Sequence, residues 1–442
     1  MAVPVIVILG GGFAGISVAR RLEGLLRPGE AEMVLLSREN FSLFTPMLPE
    51  VTSGELEVRH VVTPIRTQLH RTQFVLSEVL EIDVTRRTIL YEHVLTGETE
   101  TLAYDHLVLA LGSSTSTFGL PGVAERVFAL KTLEDAESLR NRLVWLLELA
   151  DTIRDDAYRR RLLTIAVVGG GFTGVETAGE IFKLFRSVLR FYPNIGEREV
   201  KIALVEAGPT LLAGLPPKMG VYSRRVLERL GIEILLGDGV ALADDGGLQL
   251  QSGRRIETAT IIWSAGVAPS PTIAKLGLPL TKRGAVTTGA DMRVTAADGV
   301  WALGDCASIP NGEGGAYPMT AQHAIREGPL LAENLVAAMR GQPTKPFRYN
   351  SMGMMAALGG RRAVAQLPGG GVLTGFIAWF LWRSYYLSRL PGLDRKMRVA
   401  FDWTLEILFP RDTAELRVYT RRAQEDADKE AGIKRQEPRT LS

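Results

Sequence analysis

The chain holds a single cysteine in 442 residues. With Cys306 alone, neither an intrachain disulfide framework nor a C-x-x-C redox pair can exist. The thiol reads as a small buried residue. None of the five histidines stands at metal-ligand spacing, so no metal is expected. Net charge is also scarce. A formal +2 gives nucleic-acid binding no electrostatic support from the chain as a whole. The most aromatic stretch, Leu373 to Trp382, meets Arg383 well before the roughly 20 apolar residues that a transmembrane helix needs. Strand pattern begins at Val3, so no signal peptide is expected and a cytosol-facing protein follows.

Glycine is abundant, and its placement is informative. Val5 to Leu9 runs into Gly10-Gly11-Gly12-Phe13-Ala14-Gly15, and Ile165 to Val168 runs into Gly169-Gly170-Gly171-Phe172-Thr173-Gly174. Each is a buried-strand pattern entering G-x-G-x-x-G and then a helical pattern. In such a turn the first glycine makes the bend, the second admits a pyrophosphate, and the third lets helix pack on strand. The helix N-terminus then offers free N–H groups to the phosphates. Two such units suggest two dinucleotides in one chain, the layout of a flavoprotein whose flavin is reduced by a nicotinamide. FAD is expected on Gly10, Gly12, Phe13, Ala14 and Gly15, and NADH on Gly169, Gly171, Phe172, Thr173 and Gly174.

Other contacts follow from position. Glu206 ends the strand Lys201 to Val205, where a carboxylate accepts ribose hydroxyls and repels a 2′-phosphate, so NADH is expected over NADPH. The matching place in the first unit reads Ser37-Arg38-Glu39; either Glu39 reaches the ribose, or Ser37 and Arg38 bind the adenosine end. Strands Leu107 to Leu111 and Thr260 to Trp263 end in turns that offer Gly112 and Gly266. Gly304-Asp305 follows the strand Val300 to Leu303; Asp305 is expected to accept a ribitol hydroxyl, with the next helix aimed at the pyrophosphate. Glu176 is read on the first helical turn of the second unit.

The expected fold is α/β, with two Rossmann-like dinucleotide-binding domains, the second inserted in a split FAD domain, and a C-terminal amphipathic helical segment. The expected boundaries are 1–123 and 285–365 for the FAD domain, 124–284 for the NADH domain with its leading helix, 366–422 for the C-terminal segment, and 423–442 for a disordered tail.

From Val3 to about Arg417 the chain resembles the type II NADH dehydrogenases, single-subunit NADH:quinone oxidoreductases of the two-dinucleotide-binding-domain flavoproteins. The resemblance rests on Gly169 to Glu176, Trp263-Ser264-Ala265-Gly266, Ala302 to Asp305, Ala321 to Gly328, and Phe44-Thr45-Pro46-Met47-Leu48. It implies that the loop with Pro46 passes close to the isoalloxazine, where disulfide reductases of the superfamily carry their redox cysteines. This chain has none there, which excludes glutathione-reductase-like chemistry. The resemblance also implies that Ala321 and Gln322 lie at the quinone end of the flavin, with Gln322 donating to a quinone carbonyl. Arg326 stands where the family often has a second glutamine, and could polarise a carbonyl as a charged donor. Family position gives Glu176 a role in ordering the site or passing protons.

The C-terminal stretches Leu373 to Leu387 and Val399 to Phe409 alternate aromatic and apolar residues with charge. From Arg361 to Arg422 there are eleven basic residues against five acids. Trp379, Trp382 and a fringe of Arg383, Arg389, Arg395, Lys396 and Arg398 suit an interfacial helix on a lipid surface. The alternative is a helix packed in a core or a homodimer interface. Together these readings give a peripheral membrane protein of the cytoplasmic face that passes electrons from NADH through FAD to a membrane quinone. A soluble NADH oxidase, a ferredoxin-type reductase and a flavin-holding interaction protein are the alternatives.

Overall fold

The structure, a computed structural model, describes residues 3–414; the tail expected at 423–442 lies outside them. Two sheets organise the chain, one mixed and one parallel. The first has the order Val300–Ala302, His106–Leu109, Val5–Leu9, Glu32–Ser37, Gln73–Asp83, Thr88–His93 and Thr99–Ala103. Its first five strands are parallel and the last two antiparallel. The central strands are buried on both faces, as their unbroken β-branched and leucine runs require. The second sheet is parallel throughout, in the order Val127–Ala129, Thr260–Trp263, Thr164–Val168, Lys201–Glu206 and Glu233–Leu236.

The two units share one plan. Each glycine-rich strand lies between the strand that follows its helix and a strand that arrives much later in the chain. The segment 124–161 is less uniformly helical than its leucine spacing suggests. Val127–Ala129 is an edge strand of the second sheet, and two helices follow, Leu133–Thr152 and Asp156–Leu162. After the second sheet the chain returns, and Val300–Ala302 pairs with His106–Leu109 in the first. A long helix, Ala321–Met339, then packs along the first βα helix, Phe13–Leu25.

The remaining chain forms a third unit. Strands Met355–Ala357, Ala363–Gln366 and Val372–Thr374 make a small antiparallel sheet that crosses the boundary expected at 365. Two helices follow, Gly375–Arg389 and Leu393–Leu408. This unit shares an apolar cluster with the loop around Pro46, through Phe44, Met47, Leu48, Trp382 and Trp403. Among the described residues no helix is long and apolar enough to cross a membrane.

Candidate active site

Both glycine-rich turns are built for a bound phosphate. Gly10 and Gly169 have φ of +109° and +110°, values that L side chains rarely adopt. A Cβ on Gly15 would lie 1.9 Å from the Gly10 carbonyl oxygen, and one on Gly174 would lie 1.8 Å from that of Gly169. Between them Gly12 and Gly171 face open space. Each is the N-cap of its helix with no side-chain cap, which leaves first-turn N–H groups without a capping partner. The residues present therefore fit two dinucleotides.

In the second unit a cleft of about 270 Å³ runs over Gly169 to Phe172, Glu206 and Ser264-Ala265. Glu206 is held at its wall by two backbone donors, since Gly170 N–H and Gly208 N–H each reach a carboxylate oxygen at 2.6 Å. Each oxygen keeps a lone pair for a ribose hydroxyl. Thr173 lies beside Phe172 on the first turn of that helix. Gly266 closes this end; a Cβ there would meet the Phe118 ring at 2.4 Å.

In the first unit Gly10 N–H donates to Leu36 O as Gly169 N–H donates to Val205 O, both at 2.8 Å, so Ser37 occupies the place of Glu206. Arg38 is exposed and lies 3.4 Å from Glu78. Glu39 is exposed, with a carboxyl raised by partial burial and by Glu134. Gly112 is open to approach.

The helix expected directly after Asp305 is absent. Gly304–Cys306 is a 3-10 turn that leads into a two-residue strand, and the next long helix starts at Ala321. Asp305 instead accepts from Ser113 Oγ at 2.6 Å and Lys131 Nζ at 3.4 Å. Sequence reasoning missed Lys131 and Glu327. Buried Glu327 accepts the Gly304 N–H at 2.7 Å and so fixes this turn from the long helix. Burial, outweighing that bond, pushes its carboxyl up to about 7. Cys306 is fully buried, donates to Leu109 O and Leu303 O, and is pushed by burial up to about 12. It is inert.

Pro46 lies in a 3-10 turn, Thr45–Met47, whose N-cap residue Phe44 meets two aromatic rings. Phe13 meets Phe44 at 5.8 Å, Phe44 meets Tyr386 at 6.0 Å, and Tyr386 meets Trp382 at 4.7 Å. The first glycine loop is thus joined through this turn to the C-terminal unit.

Glu176 departs from its expected setting. The helix is Phe172–Val188 with no acid in its first turn, so Glu176 stands in the second, and a helix-terminus explanation fails. It is buried, and its Oε1 accepts from Ala357 N–H at 3.0 Å and from the Trp382 indole at 3.1 Å. Burial pushes its carboxyl up to about 8 despite those two donors. Glu176 thus fastens the helix Phe172–Val188 to the C-terminal unit.

Beside it lies a buried ionic cluster with no signature in the sequence. Lys183 pairs with Glu55 and, at 3.0 Å, with Glu180. Arg383 pairs with Glu55, and Arg411 reaches Glu55, Glu180 and Glu406 at 2.6, 3.0 and 3.1 Å. Three cations thus face three carboxylates. The cations hold Glu55 well below the usual carboxylate range although burial opposes them. Glu50, unpartnered at Oε2, is instead raised by burial and by Glu55. The cluster joins the segment after Pro46, the helix Phe172–Val188 and the C-terminal helices.

At the head of the long helix, Ala321 is the first helical residue after the Thr320 cap. Gln322 is locked at both ends of its amide. Tyr349 O–H, which accepts Met352 N–H, donates to Oε1 at 2.9 Å; Nε2 donates to Gly353 O at 2.9 Å. Because a carbonyl only accepts, this network fixes the amide orientation and leaves Gln322 one N–H to give. Arg326 lies with its guanidinium 4.5 Å from the Tyr349 ring centroid. Sequence reasoning did not find Tyr349, whose partner lies 27 residues away.

The C-terminal helices also correct the expected membrane face. Trp382 and Arg383 point inward, 2% and 9% exposed. Arg383 is sandwiched at 4.5 Å from the rings of Trp379 and Trp403. The outward face is Phe376, Ile377 and Phe380 on one helix and Leu393, Met397, Phe401 and Leu408 on the other. Arg389 and Arg398 remain as an exposed fringe, whereas Arg395 bonds to Arg59 O.

Two dinucleotide cradles, a cysteine-free turn beside the first, and an attached helical unit define an oxidoreductase of the two-dinucleotide flavoprotein class. Residues 4–328 match the pyridine nucleotide-disulphide oxidoreductase family, and residues 352–412 match the NDH2 C-terminal domain. The chain is 32% identical to the type II NADH:quinone oxidoreductase Ndh of Mycobacterium tuberculosis, over 92% of this chain and 88% of that one. It is 29% identical to the external NADH-ubiquinone oxidoreductase 2 of Saccharomyces cerevisiae mitochondria, over 92% and 82%. The structure of NDH2 from Plasmodium falciparum in complex with NADH superposes with a TM-score of 0.86 at 21% identity, over 93% of this chain and all of that one. The chain belongs to the type II NADH:quinone oxidoreductases.

Proposed function

We propose that the protein is a peripheral membrane flavoenzyme of the cytoplasmic face that oxidises NADH and reduces a membrane quinone without translocating protons. Bound FAD would supply the redox chemistry, taking hydride from NADH and giving electrons to the quinone. The chain's own residues bind, orient and exclude. The uncapped helix at Gly12 and the turn of Asp305 and Lys131 hold FAD, with Ser37 rather than Arg38 or Glu39 at the adenosine ribose. The helix at Gly171 and Glu206 hold NADH, and the Glu206 carboxylate repels a 2′-phosphate. Glu176, its carboxyl raised by burial, keeps the C-terminal unit fastened to the second glycine-loop helix.

The observation that carries the acceptor assignment is the locked amide of Gln322. Tyr349 and Gly353 orient it so that one N–H remains for a quinone carbonyl, beside the charged Arg326. The outward apolar face of the C-terminal helices supports docking on lipid, where quinones reside. The test is Gln322→Ala in stopped-flow kinetics. Flavin reduction by NADH should persist while reoxidation by quinone slows by about 100-fold or more, the worth of one lost donor to a developing oxyanion. Slowing confined to the NADH half-reaction would move Gln322 to the nicotinamide site.

A further inference from the structure

Gln322 and Arg326 are four residues apart on the long helix and therefore share a face. Arg326 Nη1 donates to Gln322 O at 2.8 Å, which turns the guanidinium back toward the helix start. One face of the guanidinium covers the Tyr349 ring, the ring whose hydroxyl fixes Gln322. Its remaining edge keeps N–H donors. Arg383 and Arg411 are each paired with buried glutamates. Among the described residues no carboxylate pairs with Arg326, whose contacts are that carbonyl and that ring. Neighbouring groups do not neutralise it. Glu327 turns its carboxyl to Gly304, and His323 is held below the usual imidazole range by burial and by Arg326 itself. The acceptor end thus combines one oriented neutral donor with one uncompensated, half-buried cation. A neutral quinone needs only the first.

We propose that Arg326 determines acceptor specificity by selecting quinones that carry an ionised ring hydroxyl, held as anions by the guanidinium edge while Gln322 donates to a ring carbonyl. The proposal rests on the quinone reading above. Charge-assisted bonds from a guanidinium are about twice as strong as neutral ones, and the planar fork matches adjacent oxygens on one ring.

The experiment measures equilibrium binding, without turnover, to the full-length, FAD-loaded, oxidised protein. Calorimetry compares 2-hydroxy-1,4-naphthoquinone, which is ionised at neutral pH, with its 2-methoxy analogue, which cannot ionise. The wild type should prefer the hydroxy compound by about tenfold or more. The preference should vanish in acid that protonates the ligand. Arg326→Gln should abolish the preference by weakening the hydroxy compound more than the methoxy analogue, and Arg326→Lys should keep part of it. Equal binding of both ligands by the wild type, or a preference that survives Arg326→Gln, overturns the selection while leaving the quinone assignment standing. Binding of neither removes the quinone assignment and the proposal with it. The wild-type and pH arms decide the matter even if a variant fails to fold.

Discussion

The outward face of the C-terminal helices allows a quantitative test of membrane docking. Phe380 and Phe401 are each 62% exposed. Burying such a side chain fully is worth about 1.5–3 kcal/mol, so the exposed share gives about 1–2 kcal/mol each and about 2–4 kcal/mol for the pair. At about 1.4 kcal/mol per tenfold, Phe380→Ser with Phe401→Ser should weaken vesicle binding roughly 30- to 700-fold. Sedimentation with anionic vesicles measures this directly, and the loss should appear at every salt concentration because it is apolar. Trp382→Phe is the control. At 2% exposure its indole serves Glu176 and not lipid, so vesicle binding should hold while the melting temperature falls. Unchanged binding by the double phenylalanine variant refutes the lipid face. A dimer-to-monomer shift in that variant would instead assign the face to a second copy of the chain.

Two further outcomes concern the buried charges. Glu176 has its carboxyl raised from 4.5 to about 8, so the folded state holds a proton there that the unfolded state releases. Its contribution to stability is full below about pH 4.5 and falls by up to about 1.4 kcal/mol per pH unit as pH rises toward about 8. Glu176→Gln, which keeps an acceptor for Ala357 N–H and the Trp382 indole, should flatten this decline in denaturant melts between about pH 5 and 8; an unchanged slope contradicts the assignment. Arg411→Ala should destabilise by about 3–5 kcal/mol, since it strips a partner from the fully buried Glu55. A loss below about 1 kcal/mol in the same melts would show that the cluster has relaxed or admits water.

What the sequence disclosed and what it hid follow from the range of the interactions. The two βα turns were legible because glycine geometry and strand pattern are local. Gly15 and Gly174 each meet the carbonyl of the first glycine of their own loop, and Gly10 and Gly169 are marked by their own positive φ. Glu206 was legible because strand ends map to fixed places around such a loop. The 3-10 turn at Gly304–Cys306 was misread because a carboxylate after glycine also suits a helix start. Arg383 and Trp382 were read as interfacial because local composition is the same for an inward and an outward helix face. Their partners, Glu55 and Glu176, lie 328 and 206 residues away, and the register of the helix alone decides which residues reach them. Tyr349, in a loop, carries no periodic signal at all.

The most direct test of the central claim is the visible absorbance of the purified protein followed without oxygen. The band should bleach on addition of NADH, more readily than with NADPH, and return in full on addition of a soluble quinone. A band that bleaches but returns only with oxygen or a reducible protein, and not with quinone, would contradict the account.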